Sequence, residues 1–390
     1  MRRVIALVAV LGILLSVNVA WGQSLPAAKP EQVGLSSQRL EAIGQRDPAS
    51  GAPMTKDAIF RLYSMTKPFT SVAAMILAEE GKLTLADPVS KYLPPLATLQ
   101  VAVPKQEPDG KTTHTLVPAE RPMTVQDLLR HTSGIVYGNN TPNQHVKEAY
   151  LANGVDWKGV TPDEQIARLA KAPLAHHPGT VWEYSLSTDV LGRVVEAASG
   201  MPLGAFLGER LFGPLRIKDT AFVVPKEKLS RLAQPFAKDK ETGKPIELHD
   251  VTVAPKNDAG GAGTAGTAMD YARFLQMLAN GGQLDGVRVL SRATVAYMTA
   301  DHLDTIKPAI PTLQPGYGFG LGFAVRKGNG VNNAIGSADE FNWGGAGGTG
   351  FWVDPKEKLV AIVMAQTMPG PAQRIDRALF RHAVYQAIVD

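Results

Sequence analysis

Three short stretches of the chain carry side chains able to do covalent chemistry on a carbonyl. Ser64-Met65-Thr66-Lys67 sets a hydroxyl and an amine three residues apart. On a helix that spacing puts both groups on one face, within reach of each other. A serine hydroxyl attacks poorly until a nearby base takes its proton. Lysine can be that base when burial and positive surroundings lower its pKa, and the N-terminal end of a helix supplies such a field. Alone the pattern is weak, since two fixed positions in four arise often by chance, and the bland reading is a surface lysine beside a capping serine. Tyr184-Ser185-Leu186 lies far downstream, just ahead of an apolar helix, and Trp343-Gly344-Gly345 lies in a late, strand-rich region.

These residues need elements to hold them. Right after Ser64, Val72, Ala73, Ile76 and Leu77 recur at helical spacing, Pro68 sits in the first turn, and Gly81 is a C-terminal stop. The proline-, lysine- and threonine-rich segment 101–122 reads as an exposed excursion. A short helix is expected over 124–131, ended by Thr132-Ser133-Gly134, and others near 162–171, 187–199, 203–211 and 268–280. Residues 317–325 alternate glycine with large side chains. Two apolar runs, 350–354 and 359–364, flank Pro355-Lys-Glu-Lys358, a strong hairpin signal, and an amphipathic helix is expected over 372–388. The expected fold is therefore α+β: an antiparallel sheet flanked by helices, with a helical lobe (about 64–282) inserted between sheet segments at about 23–63 and 283–390.

The N-terminus reads as a secretory signal over 1–22. Two arginines precede an apolar run from Val4 to about Val19, and Ala20-Trp21-Gly22 offers small residues for cleavage. The run is near the lower limit for spanning a bilayer, so an uncleaved anchor is the competing reading. Export to the periplasm or the medium, with no stable membrane insertion after cleavage, is the expectation. The chain has no cysteine, which permits export without requiring it. Its formal charge is +4, of which Arg2 and Arg3 supply two, and no basic run supports nucleic-acid binding. Neither a metal nor an organic cofactor is implied: His176 and His177 lack a third ligand, and His131 reads as a helix-end cap. The glycine-rich run 260–266 lacks the Gly-Lys-Ser/Thr ending of a phosphate loop and reads instead as a lead into the helix beside the cleft. No Gly-x-Ser-x-Gly elbow occurs, which excludes an α/β-hydrolase.

In order and spacing the three stretches match the three-part signature of serine β-lactamases and penicillin-binding proteins. The text around them, including 60–69, 128–134, 178–185 and 351–355, resembles the class C β-lactamase-related esterases called family VIII carboxylesterases, over roughly 46–388. The resemblance implies that Ser64 attacks the substrate carbonyl and carries the acyl group, while Lys67 and Tyr184 share the proton traffic. It implies an oxyanion hole built from the backbone N–H groups of Ser64 and Ala346. Gly344 and Gly345 would let the strand approach the acyl group closely.

Two departures bear on the substrate. Where β-lactamases usually have Lys-Thr-Gly, this chain has Trp343-Gly344-Gly345, so no charge is offered to a substrate carboxylate. Where they commonly have asparagine two residues after the tyrosine, this chain has Leu186. Both changes make the pocket less polar, and the expected substrate is a neutral short-chain or aryl ester. The alternatives are a β-lactamase or D-amino-acid-specific peptidase and, from another class, an inactive cell-wall-binding homologue. A third departure lies before Ser64: where relatives place a helix and a two-strand hairpin, only residues 23–63 are available. The helix-like stretch 37–43 runs almost directly into 44–48, which resembles the text after that hairpin, so the sequence reads as about thirty residues short. The expectation is an intact site on a less stable protein, with one sheet edge uncovered.

Overall fold

The computed structural model describes residues 5–8, 44–239, 242–309, 312–367 and 371–388. The expected cleavage site at Ala20 to Gly22 and the helix-like stretch 37–43 lie outside the described residues.

A six-stranded sheet organises one side of the molecule. Its strands, numbered along the chain, are β1 (Ile5–Val8), β2 (Tyr317–Phe319), β3 (Ala324–Arg326), β4 (Phe341–Gly344), β5 (Gly350–Asp354) and β6 (Leu359–Val363). They lie in the order β1-β6-β5-β4-β3-β2. Strands β2 to β6 pair as antiparallel neighbours, whereas β1 runs parallel to β6 with Ile5 opposite Leu359. The alternation of strand side chains divides the packing. Phe351, Val353, Val360 and Ile362 join the large core, whereas Trp352, Leu359, Ala361 and Val363 meet Phe380 and Val384 of the C-terminal helix on the other face.

Four helices frame the sheet and the cleft beside it. Helix α1 (Lys67–Glu79) is buried over its first eleven residues, and Gly81 follows it at φ +70°, the left-handed stop its sequence predicts. Helix α2 (Ser187–Ser199) ends on Gly200 at φ +74° and packs against α1 through the apolar residues between them. Helix α3 (Ala268–Ala279) begins where the Thr267 hydroxyl accepts from Asp270 N–H. It lies on the sheet, with the Tyr271 ring 5.3 Å from that of Phe351. Helix α4 (Pro371–Gln386) covers the opposite face. The antiparallel strands flanked by helices agree with the α+β expectation, whereas the described residues 44–63, expected in the sheet lobe, add no strand to the six-stranded sheet.

Two other segments differ from the sequence reading. The excursion at 101–122 is a regular antiparallel hairpin, Gln100–Gln106 with Thr112–Pro118, whose polar composition hid its pairing. The edge of β6 expected to be bare is paired with β1, a segment inside the expected leader.

Candidate active site

The nucleophile turn comes first. Tyr63–Thr66 form a single 3-10 turn leading directly into α1, so Ser64 stands at the entrance of the helix and Lys67 is its first residue. Tyr63 occupies φ +48°, a left-handed conformation that costs a bulky residue energy and must be held from outside. The holding contacts are visible: the Tyr63 hydroxyl accepts from His249 N–H at 3.1 Å, and its ring lies edge-on to the His249 ring at 4.5 Å. A β-carbon on Gly347 would stand 2.8 Å from the same ring.

Lys67 is 1% exposed, so its ammonium depends on protein partners. It donates to the Gly261 carbonyl at 2.9 Å and to the Tyr137 hydroxyl at 3.0 Å, and lies 4.6 Å from the centroid of the Tyr184 ring. Tyr137 and Tyr184 rings are 5.5 Å apart, and Trp343 Nε1–H donates to the Tyr184 hydroxyl at 3.3 Å. The structure thus brings together Lys67, Tyr184 and Trp343, with Ser64 three residues before Lys67 in the turn that opens α1. It adds Tyr137, which the sequence reading missed; its only signal was the position three residues after the Thr132-Ser133-Gly134 helix end.

Behind the amine lies a buried carboxyl, also missed. Asp189, on α2, accepts from Gly261 N–H at 3.0 Å, so one glycine serves Lys67 with its carbonyl and Asp189 with its amide. Burial pushes the Asp189 carboxyl up, opposed by the positive charge of Lys67 and the Gly261 bond. Burial, then the neighbouring Tyr184, Asp189 and Asp156, push the Tyr137 phenol well above its ordinary value, so it remains a neutral hydroxyl. A β-carbon on Gly261 would fall 2.2 Å from Asp189 Oδ2, which is why the glycine run is needed. The expected place of that run beside the cleft agrees with this packing.

His131 does not cap its helix with its side chain. It is 1% exposed at φ +58°, its ring packs 4.9 Å from Tyr184, and Nδ1 lies 3.1 Å from Ser185 Oγ. Burial and the charge on Lys67 hold its pKa well below the ordinary value, so it is a neutral group behind Tyr184. Ser185, Ser187 and Ser133 continue the contact as a chain of hydroxyls at 2.6 and 2.7 Å.

The third stretch lies against the nucleophile turn. A β-carbon on Gly345 would stand 2.2 Å from the Leu62 carbonyl, and one on Gly344 would stand 2.8 Å from the Arg377 guanidinium. The first contact is with backbone and bars a side chain at Gly345, whereas the second meets the movable end of an arginine. Thr349 Oγ1 donates to the Leu62 carbonyl at 3.2 Å, fixing the turn that contains Ala346 beside Tyr63 and Ser64. Leu186, 4% exposed at the start of α2, belongs to the large core and backs the site without a polar group. Among the described residues no cluster of three or more His, Asp or Glu side chains suits a metal ion. His176 instead pairs with Glu183 at 2.7 Å.

Residues 32–386 match the family model described as Beta-lactamase. Protein Rv1367c of Mycobacterium tuberculosis is 36% identical, over 85% of this chain and 83% of that protein. Esterase EstB of Burkholderia gladioli is 32% identical, over 85% of this chain and 84% of its own. Among solved structures, "EstCE1, a hydrolase with promiscuous acyltransferase activity" superimposes with a TM-score of 0.69 at 28% identity, covering 88% of each chain. On that sequence match the chain belongs to the β-lactamase family, as a serine hydrolase of the esterase and acyltransferase type.

Proposed function

We propose that the protein hydrolyses neutral carboxylic esters through an acyl-enzyme on Ser64. The observation that carries the reading is the buried Lys67 amine, one turn beyond Ser64, held by Gly261 and Tyr137 and lying over the Tyr184 ring. Ser64 Oγ attacks the ester carbonyl carbon and its proton passes to the Lys67–Tyr184 pair. The oxygen that gains charge is received by the N–H groups of Ser64 and Ala346. Collapse breaks the bond to the alcohol, which leaves with the proton, and water then repeats the sequence to release the acid and regenerate the serine.

The surroundings favour apolar groups on the substrate. Two aromatic groups adjoin the site: Tyr184 with Trp343, whose ring is 5.0 Å away, and, from Tyr63 beside Ser64, His249 and Trp157, the last 5.5 Å from His249. Trp343 supplies no charge, and its one N–H is already donated to Tyr184. That argues against the alternative β-lactam substrate, whose carboxylate needs a cation. The names Esterase EstB and EstCE1, a hydrolase, point the same way.

The test is to supply p-nitrophenyl butyrate and, separately, a chromogenic cephalosporin, with Ser64→Ala as control. Rapid ester turnover that disappears in Ser64→Ala, with slow cephalosporin opening, is expected. Faster cephalosporin turnover would move the enzyme to the β-lactamase reading. We further propose export by the leader at 1–22; N-terminal sequencing of the protein recovered outside the cytoplasm should begin at Gln23, and a sequence beginning at residue 1 or 2 would contradict this.

A further inference from the structure

The turn after Trp343 is gripped from behind by a side chain that the reaction itself does not use. Strand β4 ends at Gly344 and the chain returns through 345–349 into β5. Gly345 N–H donates to the Thr349 carbonyl at 2.8 Å and Gly348 N–H to the Gly345 carbonyl at 3.2 Å, so the turn is closed. Helix α4 then reaches into it. Arg377 Nη2 donates to the Gly345 carbonyl at 2.8 Å and to the Thr349 carbonyl at 2.5 Å.

Peptide geometry gives this grip a consequence. The Gly345 carbonyl and the Ala346 N–H belong to one planar trans peptide, so they point in opposite directions. Holding the oxygen toward α4 aims the N–H away from it. Helices α4 and α1 pack on opposite faces of the sheet, and the Ser64 turn opens α1. The Leu62 carbonyl, just before that turn, is already close enough to Gly345 to exclude a β-carbon. A positive charge on the carbonyl also polarises the peptide and strengthens its N–H as a donor.

We propose that Arg377 is a positioning residue for the oxyanion hole: by binding the Gly345 and Thr349 carbonyls, it orients and polarises the peptide whose Ala346 N–H receives the developing charge. The inference rests on the ester-hydrolysis reading and on the place that reading gives to Ala346.

The experiment compares the full chain with Arg377→Met, Arg377→Lys and Ala346→Pro, the last deleting the N–H itself. Each is assayed on p-nitrophenyl butyrate and for the rate at which a p-nitrophenyl phosphonate inactivates Ser64. Losing one oxyanion donor lowers kcat by about 10²–10³. Arg377→Met, which loosens rather than deletes the donor, should lower kcat by about 10–100-fold with KM within about twofold. Phosphonate inactivation should slow by a similar factor, and Arg377→Lys should recover part of both. A merely structural role would lower the thermal midpoint while leaving kcat unchanged below it, and that result overturns the proposal. If Arg377→Met does not fold, the same split of kcat against KM in Arg377→Lys and Arg377→Gln decides the question. Unchanged kcat in Ala346→Pro would remove the oxyanion assignment and this inference with it. An inactive but folded Ala346→Pro beside a fully active Arg377→Met would overturn the role of Arg377 alone.

Discussion

Lys67 and Tyr137 show how much one buried amine asks of its neighbours. An ammonium taken out of water needs hydrogen-bond partners, and Lys67 has the Gly261 carbonyl and the Tyr137 hydroxyl. Removing the second should misplace the amine and lower kcat in Tyr137→Phe by about tenfold or more, within the range for a group that assists proton transfer, with KM little changed. Because burial and three neighbouring acidic groups push the Tyr137 phenol well above its ordinary value, it does not titrate where the enzyme works. Any alkaline limb of the pH–rate profile should therefore persist in Tyr137→Phe, and its disappearance would assign that limb to Tyr137. The nearness of Ser64 and Lys67 was legible because a spacing of three residues at the start of one helix is local. Tyr137, Asp189 and Gly261 were not, because only folding of remote segments makes them neighbours, and none lies at a spacing that a local pattern can reveal.

At the level of elements, helix α4 does more than cover a sheet face. Glu340 is fully buried and is gripped by Arg381, with Nη1 and Nη2 at 2.5 and 2.7 Å from its two oxygens. The Tyr317 hydroxyl donates to the same carboxylate at 3.2 Å, and Tyr385 donates to buried Asp354 at 2.7 Å. The Arg381 guanidinium also lies 4.6 Å from the Trp352 ring centroid. Breaking a buried pair by removing one partner costs about 3–5 kcal/mol, because the other charge is left without compensation. Glu340→Ala should lose that amount in urea unfolding, and a loss under about 1 kcal/mol would mean that Arg381 finds water in solution. The helix was readable from its amphipathic spacing, and β5 and β6 from their apolar runs around a turn. The hairpin over 100–118 was not, since its threonines, lysines and prolines carry no core-facing alternation and its pairing is largely solvent-exposed.

For the molecule as a whole, a buried and a half-buried histidine set a pH dependence. Burial, then Arg61 and Lys158, push His249 down to about 4, and burial with Lys67 holds His131 well below its ordinary value. Unfolded, both titrate near 6.5. A depressed histidine pKa means that the unfolded chain binds more protons in this window, so stability is full above about 6.5 and declines as pH falls toward about 4. The thermal midpoint should fall across that range, and His249→Gln should flatten the decline. An equally steep decline in His249→Gln would show that His249 is protonated while folded. The edge of β6 is also a property of the whole: β1 pairs there in parallel, and a leader cleaved after Gly22 would carry that strand away.

The sequence by itself determined the family and the fold class, since motif order and short-range periodicity are written along the chain. Tertiary structure decided the rest. It placed Trp343 against Tyr184, replaced the expected helix-capping role of His131 with a place behind the tyrosine, and set Gly345 against the Leu62 carbonyl. The reason is physical. A glycine or a histidine is compatible with many surroundings, and only close packing of segments distant in sequence selects one of them.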